Sequence, residues 1–449
     1  MKGLVVAAAG SGSGKTSVTC GLARSLSRRG VAVRTAKCGP DFLDPLWLAK
    51  ASGKACRNLD PWMMSPGYIR SLARQSEEAG EFLLVEGVMG LYDSVDPRSD
   101  EGSTFDVARI LDLPVLLVLD ARAQARTFAA VVQGLRDFGP APIVGVVANR
   151  VGSDHHGRIL SQALGSRGLP PLVGWIAEGE LPSLPERHLG LATESIPESL
   201  LDVLADAIEE RIGLAWADIP SSAADRSAPS VAPLPGSVRM AVSMDEAFLF
   251  RYPDQMEALE AAGVELVPTS PIRDGALPRG IHGLWLCGGY PELHAQRISR
   301  NATYLEDLRN FCDGNRPVLA ECGGMMLLSR SIVDAQGQEH GMADVLGSRS
   351  RMGARLSALG HVEVDVAGDF WLSGAGALRG HEFHWGTLEA PPRGWDPLFD
   401  RATARGKASG DGWRRGKVAA TWMHLHLASR PEAIRSWVRA MQEVEPWNA

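Results

Sequence analysis

Residues 3–17 read GLVVAAAGSGSGKTS, and their reading decides the fold of the first half of the chain. An apolar run breaks into alternating glycine and serine. A lysine, a threonine and the amphipathic stretch 17–30, SVTCGLARSLSRRG, follow. The pattern predicts a buried strand, a phosphate-binding loop and a helix. Gly12 and Gly14 free the backbone N–H groups to turn inward around phosphate oxygens, and the positive end of the helix adds to the field. Lys15 brings a point charge to the β- and γ-phosphates, and Thr16 brings a hydroxyl ligand for Mg²⁺. Ala9 stands where the first glycine of such a loop is usual, and the N–H cradle survives that change. A Gly/Ser-rich turn without a ligand is the plainer alternative. The placement after a strand and before a helix favours nucleotide.

Outward from this loop, short apolar runs alternate with amphipathic ones. VAVRTAKC (31–38), EFLLVEG (81–87), PVLLVLD (114–120) and PIVGVVANR (142–150) read as strands; TFDVARILD (104–112) and AQARTFAAVVQGLRDFG (123–139) read as helices. Continuous apolar strands separated by helices indicate an α/β fold with a parallel sheet covered on both faces. In such a sheet ligands bind at the carboxyl ends of the strands. Glu86, Asp120, Asp41 and Asp44 follow strands at that edge, so they are candidates for Mg²⁺ and phosphate chemistry. Which of them ligates is open, as is whether Lys37 holds a phosphate or only ends a strand in solvent. Asp154-His155-His156 reads as a polar loop, because no further ligands flank it at zinc spacing.

The second half repeats the plan less tidily. VRMAVSM (238–244), GVELVPT (263–269), GLWLCGG (283–289) and PVLAEC (317–322) read as strands; QMEALEAAG (255–263) and NATYLEDLRNFCDG (301–314) read as helices. Cys322 follows an apolar strand, with Gly323 and Gly324 opening a helix. That layout presents a nucleophile on a sharp turn, and a helix N-terminus is expected to lower the thiol pKa. N–H groups at Gly323 and at the turn Cys287-Gly288-Gly289 are candidate oxyanion donors. The run KVAATWMHLH (417–426) offers His424 and His426 as bases. Read as one strand, it points both to the same side, so spacing does not choose between them. The stretch Arg379 to His384 reads as a cavity lining or a hydrogen-bonded loop. Arg251 and His384 are possible contacts for a carboxylate or a ring, or ordinary surface residues.

A chain of 449 residues with 45% hydrophobic and 22% charged residues accommodates two or three domains. The expected division is an ATP-binding domain over 1–213, a Pro/Ser/Ala-rich linker over 214–236 and a second domain over 237–449. A net charge of -7 argues against nonspecific nucleic-acid binding. No apolar run is long enough to cross a bilayer. The six scattered cysteines show no CxxC pairing and fit a reducing cytosol.

Taken in order, GSGSGKTS, KCGPDFLDP, RNLDPWM, VEGVMGLYD, GSTFDVA, NRVGS, LPERHLGL, DEAFLFRYP, GGYPELHA, AECGGMM, RGHEFHW and MHLHLAS cover nearly the whole chain. Together they resemble the cobyrinic and hydrogenobyrinic acid a,c-diamide synthases, glutamine amidotransferases of the cobalamin pathway. The resemblance implies a dethiobiotin-synthetase-like P-loop domain followed by a class I-type (triad) glutamine amidotransferase domain. It implies Cys322 as nucleophile and His424 as base, with the third triad member unassigned. It implies Gly12, Gly14, Lys15 and Thr16 at the nucleotide, and Asp41, Asp44, Glu86 and Asp93 near Mg²⁺, phosphate and substrate. The implied cofactors are ATP and Mg²⁺; the implied partners are glutamine and an anionic tetrapyrrole, with a homodimer left open. Three positions depart from the family pattern: Leu48 stands for a histidine, Ser94 for a glycine and Cys287 for a glycine. The first two lie on the acceptor side, which leaves a sirohydrochlorin-derived ring (sirohaem or nickel-sirohydrochlorin) as an alternative acceptor. A switch ATPase of the partition type is the remote alternative, and it gives Cys322 and His424 no purpose.

Overall fold

The computed structural model describes residues 2–182, 184, 196–212, 236–404, 407–408 and 411–448. Residues 214–235 of the expected linker, and nearly all of the LPERHLGL string, lie outside them. The chain divides into two compact units.

The first unit begins with β1 (Gly3–Ala7), α1 (Lys15–Arg28), β2 (Val33–Cys38), α2 (Asp44–Ser52), β3 (Arg57–Leu59), α3 (Pro66–Glu78) and β4 (Phe82–Glu86). It continues with α4 (Thr104–Leu111), β5 (Val115–Asp120), α5 (Arg126–Phe138), β6 (Ile143–Val151), α6 (Asp154–Gly165), β7 (Leu172–Ala177) and α7 (Glu198–Arg211). The strands form one sheet in the order β3-β2-β4-β1-β5-β6-β7. Every pairing is parallel. The reason is in the strand sequences. β1, β4 and the apolar part of β5 carry no alternation, and their residues are buried throughout. A strand apolar on both faces needs cover on both faces, which helical crossovers supply. From β1 the chain turns one way to β2, and later crosses to β5 on the other side. The P-loop therefore emerges where the strand order reverses, at the carboxyl edge.

The second unit contains β8 (Val238–Ser243), α8 (Pro253–Ala261), β9 (Val264–Thr269), β10 (Gly283–Leu286), α9 (Ala295–Ser299), α10 (Ala302–Asp313), β11 (Val318–Glu321) and α11 (Gly323–Leu328). Then come β12 (Ser331–Val333), β13 (Glu339–Gly341), β14 (Arg349–Met352), β15 (Ala358–Val366), β16 (Leu378–His384), β17 (Gly386–Leu388), β18 (Asp396–Pro397), β19 (Phe399–Ala404) and β20 (Lys407–Ala408). β21 (Trp413–Arg415), β22 (Val418–Thr421), β23 (His424–Leu425) and α12 (Pro431–Gln442) complete it. Its main sheet runs β18-β21-β22-β11-β10-β8-β9, parallel from β22 to β9 with an antiparallel extension at β21 and β18. Two smaller sheets, β13-β12-β14-β17 and β20-β19-β15-β16-β23, accompany it. α12 places Trp437, Val438 and Met441 in a core shared with Trp285, Leu319 and Ala419 of the main sheet.

Three local expectations are corrected. KVAATWMHLH is not one strand: β22 ends at Thr421, and β23 belongs to a different sheet. The stretch Arg379 to His384 lies in strand β16, not in a loop. Asp154-His155-His156 is the first turn of α6, whose capping Ser153 accepts from the His156 N–H. A polar triplet behind a serine is a helix start.

Candidate active site

The P-loop is shaped by contacts that only glycine permits. Gly12 and Gly14 have φ of 76° and 91°, in the left-handed region. A Cβ on Gly14 would lie 2.3 Å from Asn149 Nδ2. That amide donates to the Ser13 carbonyl at 3.0 Å, so the end of β6 braces the loop. Arg150 Nη1 donates to the Gly12 carbonyl at 2.8 Å and to Asp120 at 2.7 Å. Asp120 is thereby committed to arginine, and Arg122 pairs with it as well. Lys15 Nζ donates to the Gly10 carbonyl at 3.1 Å and the Met89 carbonyl at 2.6 Å, which holds it across the loop.

Behind the loop lies a charged cluster. Thr16 Oγ1 donates to Glu86 Oε1 at 2.8 Å. Lys37 Nζ lies 2.7 Å from Glu86 Oε1 and 2.7 Å from Asp44 Oδ2. Lys37 is 2% exposed, so it is no solvated strand end. Burial alone would lower its pKa, yet Glu86, Asp44 and Asp41 override that and raise it. Burial pushes Glu86 up while Lys37 pulls it back. Asp41 Oδ1 accepts from the N–H groups of Leu43 and Asp44 and fixes the entry to α2. Asp93 is exposed on the loop after β4, where it accepts from the Gly90 N–H at 2.7 Å.

These residues can be asked whether they suit Mg²⁺. Glu86 Oε2 is buried and has no hydrogen-bond partner. Thr16, Asp41, Asp44 and Glu86 offer oxygen donors, as a hard cation wants. Three carboxylates (Asp41, Asp44, Glu86) face one ammonium, which leaves negative charge in surplus. Among the described residues no three acidic, histidine or cysteine side chains close into a metal cage.

In the second unit the expected thiol and imidazole meet the same sheet edge. Cys322 follows β11 at φ 48° and ψ -105°, a strained conformation for a residue with a Cβ. Its N–H donates to the Thr421 carbonyl at 2.7 Å, tying the turn to the end of β22. Gly324 carries no side chain because a Cβ there would lie 2.1 Å from the Leu286 carbonyl oxygen. Gly323 packs against the turn after β10, and a Cβ on it would lie 2.8 Å from Pro291 Cδ and 3.0 Å from the Gly289 nitrogen. The ring of His424 packs on Gly288, where a Cβ would lie 2.1 Å from the ring Cε1. So the two glycine turns and His424 converge on one place.

Its electrostatics differ from the expectation. Cys322 is 4% exposed, and burial together with the Glu292 and Glu321 carboxylates pushes the thiol up rather than down. The short turn of α11 does not outweigh desolvation. His424 is 2% exposed and burial lowers it to about 3, so its imidazole is neutral at pH 7. At rest the site holds a thiol and a neutral base. Glu321, next to the nucleophile, accepts from Trp285 Nε1 at 2.9 Å and from the Leu425 N–H at 2.9 Å. It thus fixes the strand that carries His424. The His424 ring stacks on His381 at 5.1 Å, and His381 Nδ1 is 3.0 Å from the Tyr252 hydroxyl. His426 turns elsewhere: its Nε2 is 2.9 Å from Asp254 Oδ2, and both are buried. β23 ends at Leu425 and His426 opens the short turn Leu427–Ser429, which separates the two histidines that spacing alone left equivalent.

Residues 4–191 match the CobQ/CobB/MinD/ParA nucleotide binding domain, and residues 239–432 match the CobB/CobQ-like glutamine amidotransferase domain. A cobyrinate a,c-diamide synthase of Syntrophotalea carbinolica is 43% identical over 97% of this chain and 97% of its own. A hydrogenobyrinate a,c-diamide synthase of Stutzerimonas stutzeri is 40% identical over 97% of this chain and 98% of its own. A third relative, the hydrogenobyrinate a,c-diamide synthase of Mesorhizobium japonicum, is 39% identical over 94% of this chain and 98% of its own. The chain belongs to the cobyrinate and hydrogenobyrinate a,c-diamide synthase family. As a member of it, the protein is a glutamine-dependent amidating ligase that binds nucleotide.

The three departures from the family pattern take defined places in this a,c-diamide synthase-type chain. Leu48 is fully buried in α2 and packs in the core. Ser94 Oγ lies 2.6 Å from the Asp96 and the Ser99 carbonyl oxygens, and its one proton bonds to either, which ties its own loop. Cys287 is buried, with its N–H on Ser243 Oγ at 2.8 Å. Arg251 donates to the Phe248 carbonyl, and His384 stacks on Trp422. The braces Asn149 and Arg150 were visible only as part of the NRVGS string. Glu321 and Tyr252 were likewise visible only within the AECGGMM and DEAFLFRYP strings, and His381 within the stretch read as a cavity lining or loop, because their contacts come from far along the chain. No helix among the described residues is long and apolar enough to cross a membrane.

Proposed function

We propose that the protein uses ATP and glutamine to amidate the a- and c-acetate carboxylates of cobyrinic or hydrogenobyrinic acid. A phosphate cradle and a thiol–imidazole turn on the same chain support this reading best. The near full-length similarity to enzymes named for that substrate points the same way.

A carboxylate is a poor acyl donor. Its oxygen attacks the γ-phosphorus of ATP, ADP leaves, and an acyl phosphate forms. Lys15 stabilises charge on the transferring group, and the N–H groups between Gly12 and Thr16 hold the phosphates. Thr16, Asp41 and Glu86 would hold Mg²⁺, which neutralises phosphate charge when bound. Asp44 and Asp93 stand on the acceptor side. In the other unit, His424 removes the Cys322 proton as the sulfur attacks the glutamine carboxamide. His424 returns that proton to the departing ammonia, and water then releases glutamate from the thioester. Ammonia attacks the acyl phosphate, phosphate leaves, and the amide remains. N–H groups at Gly323 and the Gly288–Gly289 turn are the oxyanion donors.

The reading is tested by incubating the protein with ATP, Mg²⁺, glutamine and cobyrinic, hydrogenobyrinic or a sirohydrochlorin-type acid. The expected product from the first two carries two exchanges of hydroxyl for amine by mass. Amidation of the sirohydrochlorin-type ring alone would overturn the acceptor. The six free cysteines suit a reducing cytosol as the working compartment.

A further inference from the structure

We propose that Glu292 binds the α-ammonium group of glutamine and so selects glutamine over other γ-carboxamides. The inference rests on the glutaminase reading of Cys322 and His424.

Glu292 lies in a short turn, Pro291–His294, directly after the Gly288–Gly289 turn. Pro291 sits against Gly323, where a Cβ would meet its Cδ at 2.8 Å. Glu292 is therefore one residue from the contact with the loop that carries the nucleophile. Of the charges around Cys322, Glu292 acts on its thiol most strongly, ahead of the adjacent Glu321. The Glu292 side chain is half-buried. Among the described residues no lysine, arginine or histidine pairs with it. Nearby cations are committed elsewhere: Arg297 and Arg273 to Glu246, and Arg251 to the Phe248 carbonyl. Burial lowers the His294 pKa. Burial without a cation raises Glu292 to about 7.

A carboxylate in that position is costly unless something neutralises it. The substrate supplies the missing charge. When the glutamine carboxamide carbon is at the Cys322 sulfur, only two methylenes separate that carbon from the α-carbon. The ammonium must then lie within a few ångströms of the thiol, where the Glu292 carboxylate has no cation paired with it among the described residues. Leu293 beside it is exposed.

The test compares glutamine with glutaramate, which is glutamine without the α-amino group. Ammonia release is measured with the full chain and each compound. The wild type is expected to favour glutamine strongly. Glu292→Gln should lower kcat/KM for glutamine by about tenfold to a hundredfold, the range for a lost charged hydrogen bond. The loss should fall mainly on KM, with glutaramate turnover nearly unaltered and Glu292→Asp intermediate. An unchanged glutamine-to-glutaramate ratio in Glu292→Gln would overturn the inference. So would a wild type that uses both compounds equally, which needs no variant to fold. Wild-type protein that releases ammonia from neither would overturn the glutaminase reading and this inference with it.

Discussion

The two sites bury polar groups in opposite ways. At the carboxyl edge of β1, β2 and β4, charge is kept and ion-paired, with carboxylate in surplus. Lys37 sits between Asp44 and Glu86 at 2.7 Å from each, and Lys15 is held on backbone carbonyls. At the edge of β10, β11 and β22, charge is suppressed. Burial pushes Cys322 up, lowers His424 to about 3, and raises Glu321 to about 7 and Asp411 to about 6. The difference follows from the chemistry. Phosphoryl transfer needs fixed charges in place before reaction. Thiol attack needs one proton moved only when a carboxamide arrives.

The comparison breaks most sharply at Lys37. Lys37→Met leaves Asp44 and Glu86 buried against each other without their cation. Stability should fall by about 3–5 kcal/mol, read from denaturant unfolding. Glu321→Gln in the other unit should cost only about 1–2 kcal/mol, since its partners are two N–H donors and no ion. Equal losses would show that the two sites are not built differently.

Alkylation of Cys322 by iodoacetamide sharpens the neutral side. The thiol pKa is raised, so the thiolate is scarce at pH 7 and grows about tenfold per pH unit below that pKa. Labelling should climb steadily from pH 7 to 10, with Cys322→Ala as the blank. A plateau near pH 7 would mean an ion pair at rest. A smaller effect is expected from Tyr252→Phe, which removes the hydroxyl 3.0 Å from His381 Nδ1. Glutaminase kcat should drop by about two- to tenfold, with KM for glutamine nearly constant. A change in KM alone would detach Tyr252 from the base.

How legible these sites were depends on how local their determinants are. The P-loop was readable because strand, glycines, lysine and helix are contiguous, and the Cys322 turn for the same reason. The seven-stranded order was not readable, and β3 is three residues long with no pattern of its own. Lys37 was visible at a strand end, but its burial depends on Asp44 and Glu86 arriving from other elements. The histidine choice was hidden because KVAATWMHLH looks continuous, while β23 ends at Leu425, between the two histidines. The expected low thiol pKa failed because a helix end was weighed and burial was not. The burial of Leu48 in α2 was likewise not readable from its position in the string.

The central claim is that charge chemistry and thiol chemistry are separate on this chain. One crossed experiment reaches it most directly: product formation from cobyrinic acid with ATP, using either glutamine or ammonium chloride. Cys322→Ala should abolish the glutamine-fed reaction and retain the ammonia-fed one. Lys15→Ala should lower both by about a hundredfold or more, as expected when a charge on the transition state is removed. If Cys322→Ala lost both reactions while remaining folded, or kept the glutamine-fed one, the division of labour would be contradicted.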